Sequence, residues 1–374
     1  MLELIKTEKY DKHFDELILI CLSLYIFCMQ IRESALFDIF IIASAIKIAI
    51  RMTFLFVVLK DIYDLLRGKF KLKEIIFIFV FGIYFSYFYI SLKQANLLII
   101  FLYLVAFKNI NYDKFNKHTF FALMIPFIII VLLSFTPFLN DYSKIQIRYG
   151  NLRVRHYLGY YFTCALNYFM SIVFMYYLFK KEFKPFDYIW IIVLNVFLLI
   201  FTDTKSSFFC IVLLLLLNVL FINVKNNKIY KIFSFLTLIS FPIGALSTFV
   251  LTYLYSINNR FAVALNDVLT GRLRLMSEGF DRWGITLFGQ NIYNSTEYGY
   301  IDSSYLNIFF NYGVIALIIV VVFYIVWTYW VSKKRNLQLL IVLFITSLHS
   351  VFDPQLTLLY YSPFIILFMY YYNA

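Results

Sequence analysis

The sequence predicts an all-α integral membrane protein of about twelve transmembrane helices, with two large extracytoplasmic loops and both termini in the cytoplasm. Three observations predict it. First, the 374 residues are 63% hydrophobic and only 14% charged, whereas soluble domains run near half apolar and a quarter charged. Second, apolar runs long enough to cross a hydrocarbon core of ~30 Å as helix recur along the whole chain. Third, every second connection between those runs is lysine-rich, the pattern of cytoplasmic loops. Helices packed in lipid share one interior, so 1–374 reads as a single polytopic domain.

The expected spans lie near 14–31, 36–59, 75–92, 95–108, 119–138, 158–179, 187–203, 207–224, 232–255, 305–332, 337–352 and 355–372. The N-terminal stretch MLELIKTEKYDKHFDE is too polar for a signal peptide, so the first apolar run is expected to be an uncleaved helix. Lys6, Lys9 and Lys12 precede it. KDIYDLLRGKFKLKE follows the second run, KNINYDKFNKH the fourth, KKEFKP the sixth, KNNKIYK the eighth and KKRN the tenth. The last two runs are divided only by Asp353 and Pro354 and could form a hairpin. Cys21, Cys28, Cys164 and Cys210 all sit inside apolar runs without paired spacing. They read as small hydrophobes, not as disulfide partners or metal ligands. The net charge of +12 is spread over the connections between spans, which argues against a nucleic-acid surface.

Two stretches cannot sit in lipid: 139–157 and, longer, 256–304. Both fall on the side opposite the lysine-rich connections. They hold seven of the 11 arginines (Arg148, Arg153, Arg155, Arg260, Arg272, Arg274 and Arg282) and one lysine, Lys144. Basic residues are disfavoured on that side, so something other than orientation keeps them. A guanidinium binds phosphate bidentately and stays charged at any working pH, which points to an anionic substrate. Arg274, Glu278 and Arg282 could instead form an ion-pair ladder at i, i+4 spacing. Both loops repeat one spacing. Arg148 precedes Gly159, and Arg260 precedes Gly271, each with ten residues between. An arginine followed by a glycine turn suits a phosphate clamp.

These stretches carry a resemblance. RYGNLRVRHYLG (148–159) and RFAVALNDVLTG (260–271) match the Arg-x10-Gly motifs of bacterial O-antigen and capsule polymerases of the Wzy type. That family shares a superfamily with the O-antigen ligases. TDTKSS (202–207) resembles a Thr-x-Ser-Arg element, with Lys205 near the arginine position. LTGRLRLM (269–276) resembles a Gly-Arg element. GQNIYNS…DSSYLNIFFNYGVIALI (289–318) resembles a G-x-G…[D/H]-N-S-Y-L…G element. The chain departs from the pattern at Tyr157–Leu158, where Pro-Asn is usual, and at Ser303, where Asn is usual.

The resemblance implies the donor and the setting. The donor is a glycan on undecaprenyl pyrophosphate, and the acceptor a lipid-linked repeat unit at the outer face of the bacterial cytoplasmic (inner) membrane. A chain-length regulator and a flippase are implied as further partners, membrane lipid surrounds the chain, and no cofactor or metal is expected. Arg148, Arg155, Arg260, Arg272, Arg274 and Lys205 are expected at the pyrophosphate, with Gly159 and Gly271 as loop turns. Asn291, Tyr293, Asn294, Tyr298, Tyr300 and Tyr305 are expected at the sugar. The leaving pyrophosphate already carries its charge, so arginines can stabilise it without a metal. The acceptor hydroxyl calls for a base. Asp302 is the first candidate, its alternative being a helix-capping acid. His156, beside Arg155, is the second, its alternative an interfacial histidine. His349 and Asp353 are spaced for a structural pair. A ligase-like transferase with the same donor, and a lipid-linked oligosaccharide flippase, are the alternative functions.

Overall fold

The structure, a computed structural model, describes residues 2–108, 111–148, 151–180, 182–221, 227–269, 271–292 and 301–373. The side chains of residues 2–12, 146–148, 151–153 and 373 lie outside that description. The helices are α1 (Leu2–Arg32), α2 (Phe40–Leu66), α3 (Leu72–Leu92), α4 (Asn96–Ala106), α5 (Tyr112–Ser134), α6 (Ala165–Phe179) and α7 (Pro185–Thr202). They continue as α8 (Lys205–Phe221), α9 (Asn227–Ser256), α10 (Arg260–Val268), α11 (Arg272–Trp283), α12 (Ser304–Lys333), α13 (Leu337–His349) and α14 (Phe368–Asn373). Short 3₁₀ turns cover Ala35–Asp38 and Pro363–Leu367. Strands β1 (Ser143–Arg148) and β2 (Asn151–His156) form an antiparallel hairpin.

Among the described residues seven helices are long and apolar enough to cross a membrane: α1 from His13, α2, α3, α5, α7, α9 and α12. The chain is thus an all-α, multi-pass membrane protein. α4, α6, α8, α13 and the Pro363–Tyr372 stretch are apolar but only 10–17 residues long. At 1.5 Å per residue each falls short of a ~30 Å core. Two expected spans differ in kind. The stretch 158–179 is helical only from Ala165, and 355–372 runs as irregular chain until Pro363. The second irregular part is almost wholly buried and the first partly so, and burial in protein is how non-helical backbone is tolerated at membrane depth.

The chain divides into two compact units. The first holds Met1–Ile76, Leu102–Leu215 and Leu359–Ala374; the second holds Phe77–Phe101 and Leu216–Leu358. In the first unit α1 packs on α2 and α5, α5 on α6, and α6 on α7. Every residue of α6 from Ala165 to Met175 is buried, the mark of a central helix apolar on all sides. Ser171 on α6 donates to the Tyr361 carbonyl at 2.6 Å, satisfying an irregular backbone group. α2 runs to Leu66, through residues expected in a polar connection. Its last turns bury Lys60 and Asp64 as an ion pair. Lys60 also lies 3.2 Å from Asp15, and Lys69 2.8 Å from Asp64. Mutual pairing is what lets such charges stay buried.

In the second unit α9 packs on α12 and α13 through small and hydroxylated residues. A methyl at Gly244 would come within 2.8 Å of the Tyr305 hydroxyl. Ser347 donates to Ser240 at 2.6 Å across the same contact. Close approach of this kind replaces the hydrophobic effect between helices in lipid.

α12 is broken at Gly313, where φ is 86° and ψ 175°. The break frees backbone groups that the segment after α11 then satisfies. Val314 N donates to Thr286 O at 3.0 Å, Ile315 N to Leu287 O at 3.4 Å, and Gln290 N to Asn311 O at 3.2 Å. A methyl at Gly289 would strike the Asn311 carbonyl, and one at Gly313 the Leu287 carbonyl. Gly289 and Gly313, both within the 289–318 element, therefore interlock backbone to backbone.

Candidate functional site

In the first unit the site is built on the hairpin. Its register pairs Ser143 with His156 and Lys144 with Arg155. Like charges opposite each other repel, and Arg155 turns to other partners. Its Nε donates to the Thr202 carbonyl at 3.0 Å, and Nη2 to Thr163 Oγ1 at 2.9 Å and Thr204 Oγ1 at 3.4 Å. Arg155 thus holds the turn joining α7 to α8, where Asp203 is left-handed (φ 48°). Lys205, exposed, is the first residue of α8. His156 Nδ1 lies 2.7 Å from Asp141 Oδ2, and Asp141 Oδ1 accepts from Leu158 N at 2.8 Å. That carboxylate fixes the imidazole and leaves Nε2 for a second partner. Arg148 is the last residue of β1, and its side chain, like that of Arg153, lies outside the described residues.

The two Arg-x10-Gly stretches are not one structure used twice. The first holds the last residue of β1 and all of β2, the second helix α10, and strands advance over twice as far per residue as helices. The glycines differ as well. Gly159 (φ 81°) is buried, and a methyl there would lie 2.7 Å from Leu139 Cδ2. It is a packing position, not a turn open to ligand. Gly271 (φ 84°) has open space around it and is the N-cap of α11.

In the second unit Arg260 is the first residue of α10 and Arg272 the first of α11. Asn259 caps α10 by accepting from Phe261 N and Ala262 N. Arg260 is exposed. Arg272 Nε donates to Asp302 Oδ2 at 2.9 Å. Arg274 and Arg282 both pair with Glu278, at 3.0 and 3.3 Å, so the i, i+4 ladder is the arrangement found. Asp302 does not cap α12, because Ser303 is the N-cap residue. Instead Ser304 N donates to the Ser350 carbonyl at 2.8 Å, so the start of α12 is met by the end of α13. His349 Nε2 and Asp353 Oδ2 pair at 3.1 Å with both side chains mostly buried, as a structural pair would be.

Of the residues expected at the sugar, Asn291 is half-buried beside Ile292. Tyr293, Asn294, Tyr298 and Tyr300 lie outside the described residues. Tyr305 offers no open face to a sugar. It is fully buried, with its hydroxyl on the Ser347 carbonyl at 3.2 Å, because α9 presents glycine where the ring must fit.

One residue escaped sequence reasoning. Glu33, at the end of α1, accepts from Tyr168 at 2.8 Å, Tyr361 at 2.7 Å and Tyr360 at 2.6 Å. Its backbone joins the same end of the unit. Tyr161 N donates to Glu33 O at 3.0 Å and Ala35 N to Gly159 O at 2.9 Å. Burial pushes the Glu33 carboxyl above the usual range, although the three phenols and Arg32 act the other way. The Tyr161 hydroxyl donates to Asp38 at 2.6 Å, and Cys164 nearby is buried. The available signal was an acid directly at the end of an apolar run; the tyrosine partners gave none.

No protein-family model, curated protein or solved structure matches this chain.

Proposed function

We propose that this chain is a polysaccharide polymerase. It transfers a growing glycan from undecaprenyl pyrophosphate to a lipid-linked repeat unit at the outer face of the bacterial cytoplasmic membrane, with about twelve spans and both termini inside. One observation carries the reading. Lys205, Arg260 and Arg272 are each the first residue of a helix. A cation there opposes the positive end of the helix dipole and costs stability. The same place, with the positive end of a helix dipole and a cation together, suits a phosphate. Asp302 offsets that cost at Arg272, whereas Lys205 and Arg260 have no ion-pair partner among the described residues, and anion binding explains where they stand.

Within the first unit Arg155, Lys205 and the start of α8 offer positive charge to a leaving pyrophosphate. The adjacent His156, oriented by Asp141, can take the acceptor hydroxyl's proton at Nε2. Asp302 is better read as the residue that holds Arg272. Within the second unit Arg260 and Arg272 offer the same anion chemistry to a lipid-linked phosphate.

Polymer formation from lipid-linked repeat units by the purified full chain tests this. Arg260→Ala, Arg272→Ala and Lys205→Ala should each slow it about 10-fold or more, the effect of removing a hydrogen bond to a charged group worth ~1.5–3 kcal/mol. A wild-type chain that makes no polymer, or variants at the wild-type rate, would overturn the reading.

A further inference from the structure

The segment between α9 and α12 carries two short helices whose outward faces differ in kind. α11 exposes Arg274, Asp281 and Arg282, a face made for water. α10 exposes Phe261 (65%), Ala264 and Val268 (72%) at i, i+3 and i+7 on one flank, with Arg260, Val263 and Asp267 exposed beside it. Ala262 and Asn266 turn inward and are buried. Each exposed side chain of this kind forgoes about 25 cal/mol per Å² if it faces water, and the helix next to it shows that the segment has polar residues to spend.

The apolar flank of α10 continues a longer one. Leu236, Ile243, Leu246, Val250 and Tyr253 are exposed along α9 at spacings of three, four or seven residues, the lipid-facing side of a span. Ile257 (54% exposed) carries that stripe into the turn. The turn bends at Asn258 (φ 56°), and Phe261 takes up the stripe four residues on. Arg260, at the start of the helix, is exposed and has no ion-pair partner among the described residues.

From this we infer that α10 is an in-plane membrane-surface helix. Phe261, Ala264 and Val268 lie among the acyl chains of the leaflet in which α9 ends, and Arg260 lies at the level of the phospholipid phosphates. A short helix with a strong apolar flank, a charged edge and an interfacial aromatic is the form such helices take. The occupant is bulk phospholipid: the flank follows a bilayer-facing surface across one turn, and the guanidinium, without an ion-pair partner among the described residues, matches the headgroup phosphate. This inference shares Arg260 with the glycosyl transfer proposed above, and its test reads the apolar flank alone, so the two fail separately.

Nitroxide labelling of the full chain in phospholipid nanodiscs tests it. The four native cysteines are buried, so the reagent reports on an introduced thiol. Labels at Phe261→Cys and Val268→Cys should collide with oxygen, which concentrates in lipid, several-fold more than with a water-soluble nickel chelate. A label at Asp281→Cys should show the reverse. Ala264→Cys, on the same flank, replaces either variant that fails to express. Labels at 261 and 268 that are as open to nickel as the one at 281 would overturn the inference. So would labels shielded from both reagents, the result expected under a protein partner or a second copy.

Discussion

The Glu33 carboxyl gathers three phenols, from Tyr168, Tyr360 and Tyr361, and this arrangement has a pH signature. Burial raises its folded pKa above the value in the unfolded chain, so the folded state binds the proton more tightly. The associated stability is complete below the ordinary glutamate value and is lost as pH rises through the raised one. Thermal unfolding of the wild type followed from about pH 4 to 8 should show this loss. Glu33→Gln, which cannot ionise, should remove that component and flatten the profile; a wild-type minus variant difference independent of pH would contradict it. At the same scale, the Arg272–Asp302 pair limits what sequence alone says of Asp302. An acid just before a helix looks like a cap or a base, and only the fold reveals an arginine 30 residues away that takes its carboxylate.

Among the elements, broken helix α12 and the segment clasped to it depend on two glycines. Gly313 sits at φ 86°, ψ 175°, a region essentially closed to other residues at a cost of order 1–3 kcal/mol, and a methyl there also meets the Leu287 carbonyl. Gly313→Ala should therefore lower the unfolding temperature markedly or abolish folded yield. Gly271→Ala, also left-handed but in open space, should cost only about 1 kcal/mol. Calorimetric unfolding in nanodiscs compares them, and equal effects would show that the interlock contributes nothing. The element scale is also where sequence reading reached furthest and then failed. Apolar runs marked the long helices well, since an α-helix satisfies its own backbone from local residues. They misread 158–164 and 355–362 as helix, because hydropathy reports burial, and burial is equally served by irregular chain whose carbonyls and amides find partners elsewhere.

At the level of the whole molecule, the proposed activity makes a prediction that separates it from its alternatives. Deleting the gene in its host should leave surface glycan with single repeat units. Accumulated lipid-linked polymer would indicate a ligase instead, and intermediates left on the cytoplasmic face a flippase. What the sequence by itself determined is the environment: a multi-pass helical membrane protein, with arginine gathered in two stretches outside the apolar runs. Those properties follow from residues within a turn or a span of one another, through hydropathy, helix periodicity and charge placement. Only the tertiary structure decided the partners. It set Tyr360 and Tyr361 against an acid 327 and 328 residues away. It turned Arg155 onto the α7–α8 turn, joined Gly289 to Gly313, and gave the two Arg-x10-Gly stretches unlike folds. The physical reason is that a helix in lipid is stabilised by its own near neighbours, whereas a polar group there needs whichever partner the packing of distant segments brings within hydrogen-bond reach.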